Sequence, residues 1–421
     1  MSKNQISELN LLRILSCLIV VMLIHIPNNY AYNYYIEIGG LARLRMHTFG
    51  IFVAMGSFVF ISGFTLTLKM GKPKEKPPQS VGSFLMSRFT RIFPLYLLAL
   101  IVFLFLFDYV DFLGIPYIIS HFFGMQMVFS PIGGDPIWTL WFVGIILIYY
   151  LTFLVFRAVK SLIYIIPIAI GFLALFGTLN IFLDLFEPRV IMYYLLFIVG
   201  IIMGKVYMSP AGVKIREKNS VKSKFIKIGV AGVLLAIGMT GYLLLTRYIF
   251  IEYNYESSPM TFFSFFNEFG TLLWRYYIGE KIVVYLLVDL TIVCFILAFI
   301  SAMFILLSLI KLIFKEKHVD KVISVAAYPT YCVYLFHRPL IIGISAIFTR
   351  LFGLDMYAPG NLWIALGVIV PLIFIISYGI QKSYDLLVRW LKSLKMKGRE
   401  RRTEQEVIVS RLHPEKPDPN S

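Results

Sequence analysis

The sequence predicts an all-α, polytopic membrane bundle of about ten transmembrane helices with both termini cytoplasmic, on three observations. Of its 421 residues, 59% are hydrophobic and only 15% are charged. Apolar runs long enough to cross a bilayer core of about 30 Å recur from end to end. The lysines and arginines, which give a formal net charge of +16, sit at the ends of those runs and in the loops between them. A basic excess spread in this way is a topology signal and does not point to nucleic acid.

Each element follows in order. Residues 10–26 hold a run from Ile14 to Ile24 with the length of a signal-peptide core. Pro27–Asn28–Asn29 stands where small residues would mark cleavage, so it reads as a retained first span. Phe49–Leu68 is the second, with Gly56, Ser57, Ser62 and Gly63 small enough to let helices approach closely. The polar loop KMGKPKEKPPQS leads to Ser87–Tyr96, SRFTRIFPLY, which opens a third span running to Phe107. Ile137–Phe156, Leu162–Leu183, Val190–Met208 and Ile228–Thr246 follow, then a long aromatic loop to Lys281. Ile282–Ile310, Val322–Thr349 and Leu362–Ile380 complete the set. Residues 112–134 are apolar but broken by Gly114, Pro116 and Gly124. Counting them as a span would put the Lys214–Lys227 linker and the Lys311–Lys321 loop outside, against the positive-inside rule, so they read as re-entrant or interfacial. Residues 1–390 form one membrane-embedded domain, and 391–421 read as a basic, then polar, cytoplasmic tail expected to be disordered. Cys17, Cys294 and Cys332 all lie inside apolar runs and read as small buried hydrophobes.

Ionisable residues at membrane depth are functional candidates by default. Arg88 and Arg91, spaced i, i+3, share one helix face and present two guanidinium forks that suit phosphate. The positive-inside rule accounts for the same pair. Helix rise places His25, His337 with Arg338, and Asp289 in the outer half of the membrane, and Arg13, Arg88 and Arg91 near the inner face. The chain thus offers a basic inner vestibule and a titratable outer chamber. Asp289 pairs with Arg338 or His337 as structural glue, or serves with His337 as the proton relay of a secondary transporter exporting a sugar or acidic small molecule. His47 and His121 fall in loops, and the aromatic loop reads either as a sugar-stacking surface or as an interfacial belt. No histidine–carboxylate set has metal-ligand spacing on one helix.

Five segments in order resemble the integral-membrane acyltransferase 3 family, which O-acylates sugars and other hydroxyl acceptors. ELNLLRILSCLIVVMLIH is similar to its first helix, with Arg13 at the start and His25 at the end. Phe60-Ile61-Ser62-Gly63-Phe64, Arg88 to Tyr96, Trp138-Thr139-Leu140-Trp141-Phe142, and Tyr331 to Pro339 resemble the next four motifs. The interval from Arg13 to His25 is one residue longer than is usual in the family, and Val143 and Gly144 stand where one branch carries a glutamate. An extracytoplasmic esterase-like domain of the kind some members append is not expected within these 421 residues.

The resemblance implies a cell-membrane O-acyltransferase that uses cytosolic acyl-CoA, acetyl-CoA by default, as a co-substrate and holds no permanent cofactor. Arg88 and Arg91 would hold the CoA phosphates, and Ser62 and Gly63 would leave room for the pantetheine arm. His25 would act as general base, grouped in the catalytic set with Arg13, His337 and Asp289. Trp138, Trp141, Tyr331 and Arg338 would contact the substrate, with Tyr331, Trp138 or Arg338 as oxyanion donor. The partners implied are the lipid bilayer, acyl-CoA and a hydroxyl-bearing glycan or related acceptor.

Overall fold

The computed structural model describes residues 6–26, 35–38, 42–70, 80–106, 115–128, 137, 139–159, 161–183, 185–187, 189–217, 221–252, 278–313, 316–356 and 358–412. The aromatic loop between Tyr253 and Tyr277 and the side chain of His47 lie outside the described residues.

The chain begins with α1 (Ser7–Leu18), which widens into a π-helical stretch, Ile19–His25. A short antiparallel hairpin, β1 (Tyr35–Ile38) and β2 (Ala42–Arg45), pairs Tyr35 with Arg45 and departs from the all-α expectation. The remaining elements are helical: α2 (Met46–Met70), α3 (Val81–Leu106), α4 (Ile115–Phe122), α5 (Trp141–Phe156), α6 (Ile165–Leu183), α7 (Arg189–Met192), α8 (Tyr194–Met208), α9 (Pro210–Glu217), α10 (Val221–Glu252), α11 (Ile278–Ile313), α12 (Glu316–Ala327), α13 (Thr330–Phe352) and α14 (Leu362–Leu412). Among the described residues, eight helices are long and apolar enough to cross a membrane. Two shorter apolar helices, Ala54–Lys69 and Trp141–Phe156, fall at two further expected spans. The outer surface is itself apolar: Phe105, Phe182 and Trp363 are 78%, 78% and 79% exposed, which suits lipid and not water. This is a multi-pass membrane protein.

The core is rich in aromatic side chains, with Tyr96, Tyr149, Phe84, Phe103, Phe153 and Phe197 fully buried. Small residues set its tightest joint. A Cβ on Gly63 of α2 would lie 2.3 Å from the Phe197 carbonyl oxygen of α8, and one on Gly200 would lie 2.3 Å from the Phe60 carbonyl oxygen. The two backbones therefore pack directly on each other. Gly63→Ala or Gly200→Ala is expected to force them apart and destabilise the bundle by about 1–3 kcal/mol, read as a lower melting temperature in detergent.

Two expectations about boundaries change. The run Val322–Thr349 is not one span, because the backbone turns at Tyr328–Pro329 and Val322 belongs to α12. Proline disfavours helix at the residue before it. The amphipathic α12 leaves Val322 and Val325 exposed, while its other face reaches α1 through a 2.5 Å hydrogen bond from the Ser7 hydroxyl to Asp320. The tail expected to be disordered from 391 continues α14 to Leu412. α4 has only eight residues, a rise of about 12 Å, and cannot cross the bilayer. His121 pins this segment inward: its Nδ1 donates to the Tyr117 carbonyl at 3.0 Å, and its Nε2 accepts the Ile137 N–H at 3.0 Å.

Two tyrosines tie α3 to the C-terminal helices. Pro94 has no N–H to offer the Thr90 carbonyl, and the Tyr384 hydroxyl of α14 donates to that carbonyl instead. The Tyr331 hydroxyl of α13 donates to the Ile92 carbonyl at 2.9 Å.

Candidate active site

His25 and His337 meet. Their ring centroids are 4.7 Å apart, although 312 positions separate them in sequence. His337 is fully buried on α13, and its Nδ1 lies 2.8 Å from the Tyr334 carbonyl oxygen and 3.2 Å from that of Val333. Carbonyls only accept, so Nδ1 carries the proton and Nε2 presents a lone pair. That Nε2 is buried and has no hydrogen-bond partner among the described residues. His121, with both ring nitrogens committed, is a structural histidine; His337 has the arrangement of an oriented base. His25 is half-buried beside it.

The π-helical stretch explains how His25 arrives there. Twelve regular α-helical steps from Arg13 would leave His25 about 120° round the axis from it. The steps through Ile19–His25 follow the wider i→i+5 winding, roughly 82° each, which brings the total close to three full turns. Arg13 and His25 therefore share a face. The extra residue in the interval between them is absorbed by the winding.

At the Arg13 end of that face stands a cluster of cations. Arg13 and Arg91 repel each other, as do Arg88 and Arg91, and Lys69 at the end of α2 is within electrostatic reach of all three arginines. Among the described residues no carboxylate is paired with any of the four. The Arg88 guanidinium carbon lies 5.2 Å from the Phe84 ring centroid and 6.0 Å from that of Tyr150, and its buried Nε has no hydrogen-bond partner among the described residues. Like charges gathered without counter-charge among the described residues raise the local positive potential, which suits an anion. Lys69 was not legible as part of it, because its sequence position fits a topology lysine equally well.

The other sequence candidates divide. Gly63 does not open a passage, since the backbone of α8 fills the space beside it; Ser62 is half-buried on the same helix. Tyr331 gives its hydroxyl to Ile92 and so is not poised as an oxyanion donor. Trp141 is 7% exposed, with the Arg189 guanidinium 4.6 Å from its ring centroid and Tyr193 stacked at 5.9 Å, so it is a wall residue. Arg338 is half-buried within electrostatic reach of His337. Trp138 and the side chain of Asp289 lie outside the described residues.

Sequence reasoning missed Tyr334, whose ring lies 6.3 Å from His337 and 5.4 Å from Phe142, and whose hydroxyl donates to the Thr139 carbonyl. It also missed the ion pair of Glu187 with Arg189, 2.5 Å long and largely buried behind Trp141. Tyr334 lies within the Tyr331–Pro339 motif, but nothing in its spacing marks it apart from a core aromatic.

One helix face thus leads from a cluster of cations, without a paired carboxylate among the described residues, to two facing imidazoles. The acyltransferase 3 family model, described as an acyltransferase domain, matches residues 6–381. Neither the curated proteins nor the solved structures give a match.

Proposed function

Because the chain belongs to the acyltransferase 3 family and is a membrane acyltransferase, we propose that it moves an acyl group, acetyl by default, from cytosolic acyl-CoA to a hydroxyl of an extracytoplasmic glycan or related acceptor. This reading includes ten spans, both termini in the cytoplasm, and residence in the plasma membrane. The observation that carries it is the shared face of Arg13 and His25, which leads from the cation cluster to the histidine pair.

CoA carries about four negative charges at neutral pH, and Arg13, Lys69, Arg88 and Arg91 supply four positive ones to meet them. The rise from Arg13 to His25 is on the order of 16–18 Å, a distance the extended pantetheine arm spans. At the outer end, the acceptor oxygen attacks the thioester carbonyl carbon as His25 takes its proton. The bare Nε2 of His337 is the second proton acceptor in reach. Two positive charges so close in a low-dielectric site are disfavoured, so the pair takes up a single proton. When the tetrahedral intermediate collapses, the carbon–sulfur bond breaks and the thiolate recovers that proton. The products are an ester and free CoA, with no net redox change.

Purified protein in detergent, given acetyl-CoA and a glycan acceptor, is expected to release free CoA. The double variant Arg88→Ala/Arg91→Ala is expected to raise KM for acetyl-CoA at least about tenfold, as loss of charge-assisted hydrogen bonds requires. Lys69→Ala is expected to raise it by a smaller factor. Wild-type protein that neither binds nor consumes any acyl-CoA, but moves a solute down a proton gradient, would replace this reading with transport through Asp289 and His337.

A further inference from the structure

Thr139 has φ of 65°, the left-handed region that β-branched residues rarely enter. Among the described residues it is the only non-glycine residue with positive φ. The chain on either side holds it there. The Ile137 N–H donates to His121 Nε2 at 3.0 Å, and the Gln126 side-chain amide donates to the Leu140 carbonyl at 3.0 Å. The carbonyl of Thr139 itself accepts from the Tyr334 hydroxyl. Three buried side chains from two other parts of the fold thus converge on a four-residue turn. Such conformations persist only where the surroundings over-determine them, and they gather at functional sites.

The side chain adds a second, independent observation. Thr139 is 6% exposed, and its Oγ1 is buried without a hydrogen-bond partner among the described residues. A threonine hydroxyl ordinarily finds a backbone carbonyl when buried, as Thr67, Thr152 and Thr330 do here at 2.9, 3.0 and 2.8 Å. Thr139 stands one residue before Leu140, the N-cap of the 16-residue α5, whose free first-turn N–H groups make that end of the helix positive. Its bonded partner Tyr334 is on the turn of α13 that carries His337, whose buried Nε2 is likewise without a partner among the described residues, as is the Oε1 of Gln126 beside the turn. Tyr334 thus stands between the two residues, its hydroxyl on the Thr139 backbone carbonyl and its ring 6.3 Å from that of His337.

From this geometry we infer that Thr139 is a catalytic residue, its hydroxyl donating to the thioester carbonyl oxygen as negative charge develops there. The inference rests on the acyl-transfer reading and adds to it the donor that Tyr331 cannot supply. As the acceptor oxygen bonds to the carbonyl carbon, the π pair moves onto the carbonyl oxygen and is stabilised by the Oγ1–H and the positive end of α5. No proton leaves Thr139. The pair returns to re-form the carbonyl as the carbon–sulfur bond breaks, and the thiolate takes the proton held by the histidines.

The test uses the full chain in detergent with acetyl-CoA and compares Thr139→Val, Thr139→Ser and Thr139→Gly by kcat, KM and melting temperature. Valine keeps the shape and removes the donor, so kcat is expected to fall roughly 10²–10³-fold with KM for acetyl-CoA nearly unchanged. Serine restores the donor and is expected to recover kcat to within about tenfold of wild type. Glycine relieves the backbone while removing the donor, so it is expected to melt no lower than wild type and still lose kcat as valine does. A valine variant with wild-type kcat overturns the proposal, as does a serine variant as poor as valine, or a loss confined to KM. If valine does not fold, glycine decides: near-wild-type kcat overturns the inference. Wild-type protein that consumes no acyl-CoA removes the underlying acyl-transfer reading, whereas normal wild-type turnover with an active glycine variant removes this inference alone.

Discussion

His337→Asn is expected to lower kcat by roughly 10²–10⁴-fold, the usual worth of a positioned general base, while KM for acetyl-CoA stays close to wild type. Asparagine can still donate to the carbonyls of Tyr334 and Val333 from a position near that of Nδ1, so the local anchoring of α13 is kept. What it removes is the bare Nε2. His25→Ala is expected to fall into the same range, and the double variant to be scarcely worse than either single one, because residues acting as a unit are not additive. The pH profile separates this from a structural role. A base must be neutral to act, so wild-type kcat/KM falls as pH drops through the titration of the pair, and that limb should be missing from the residual activity of His337→Asn. Wild-type kcat in His337→Asn would leave His25 as the sole base and make the buried Nε2 incidental.

The second large effect concerns helix winding. Deleting Met22 from the π-helical stretch lets Arg13 through His25 run as an ordinary α-helix of eleven steps, which leaves the two residues about 20° apart. Activity is therefore expected to survive the deletion, to within about tenfold. Inserting one alanine after Met22 has the opposite result, turning His25 by about 100° away from His337 and lowering kcat as far as His25→Ala does. In most helices a deletion and an insertion are equally harmful; here the asymmetry is the signature. A folded deletion variant as inactive as His25→Ala would sink this account of the winding.

Much of the architecture was legible because apolar runs report spans directly. The arginine pair and the two histidines stood out for a related reason: charge and imidazole at membrane depth are costly, so their positions carry information. What the sequence did not disclose were features decided by backbone conformation. Nothing in IVVMLIH announces i→i+5 winding, and by regular helical arithmetic Arg13 and His25 fall on different faces. Thr139 lay inside a motif noticed for its tryptophans, while its dihedral angle depends on His121 and Gln126 far from the motif's own spacing. Gly63 was noticed for its size and read both as a close helix contact and as room for a ligand; the backbone of α8 takes that space, since a missing side chain does not say which of the two fills the gap. Val322–Ala327 read as membrane because its composition is apolar, and only its packing on α1 shows it as a separate amphipathic helix.

The two tyrosine contacts to α3 have an evolutionary consequence. Tyr331 and Tyr384 both address backbone carbonyls, those of Ile92 and Thr90, and neither touches a side-chain acceptor. Every residue type has a carbonyl, so mutation at positions 90 and 92 leaves both acceptors in place, whereas loss of either phenol removes a contact outright. The helix bearing the two arginines is thus moored by information stored in its neighbours, and its own sequence at those two points is left open to drift.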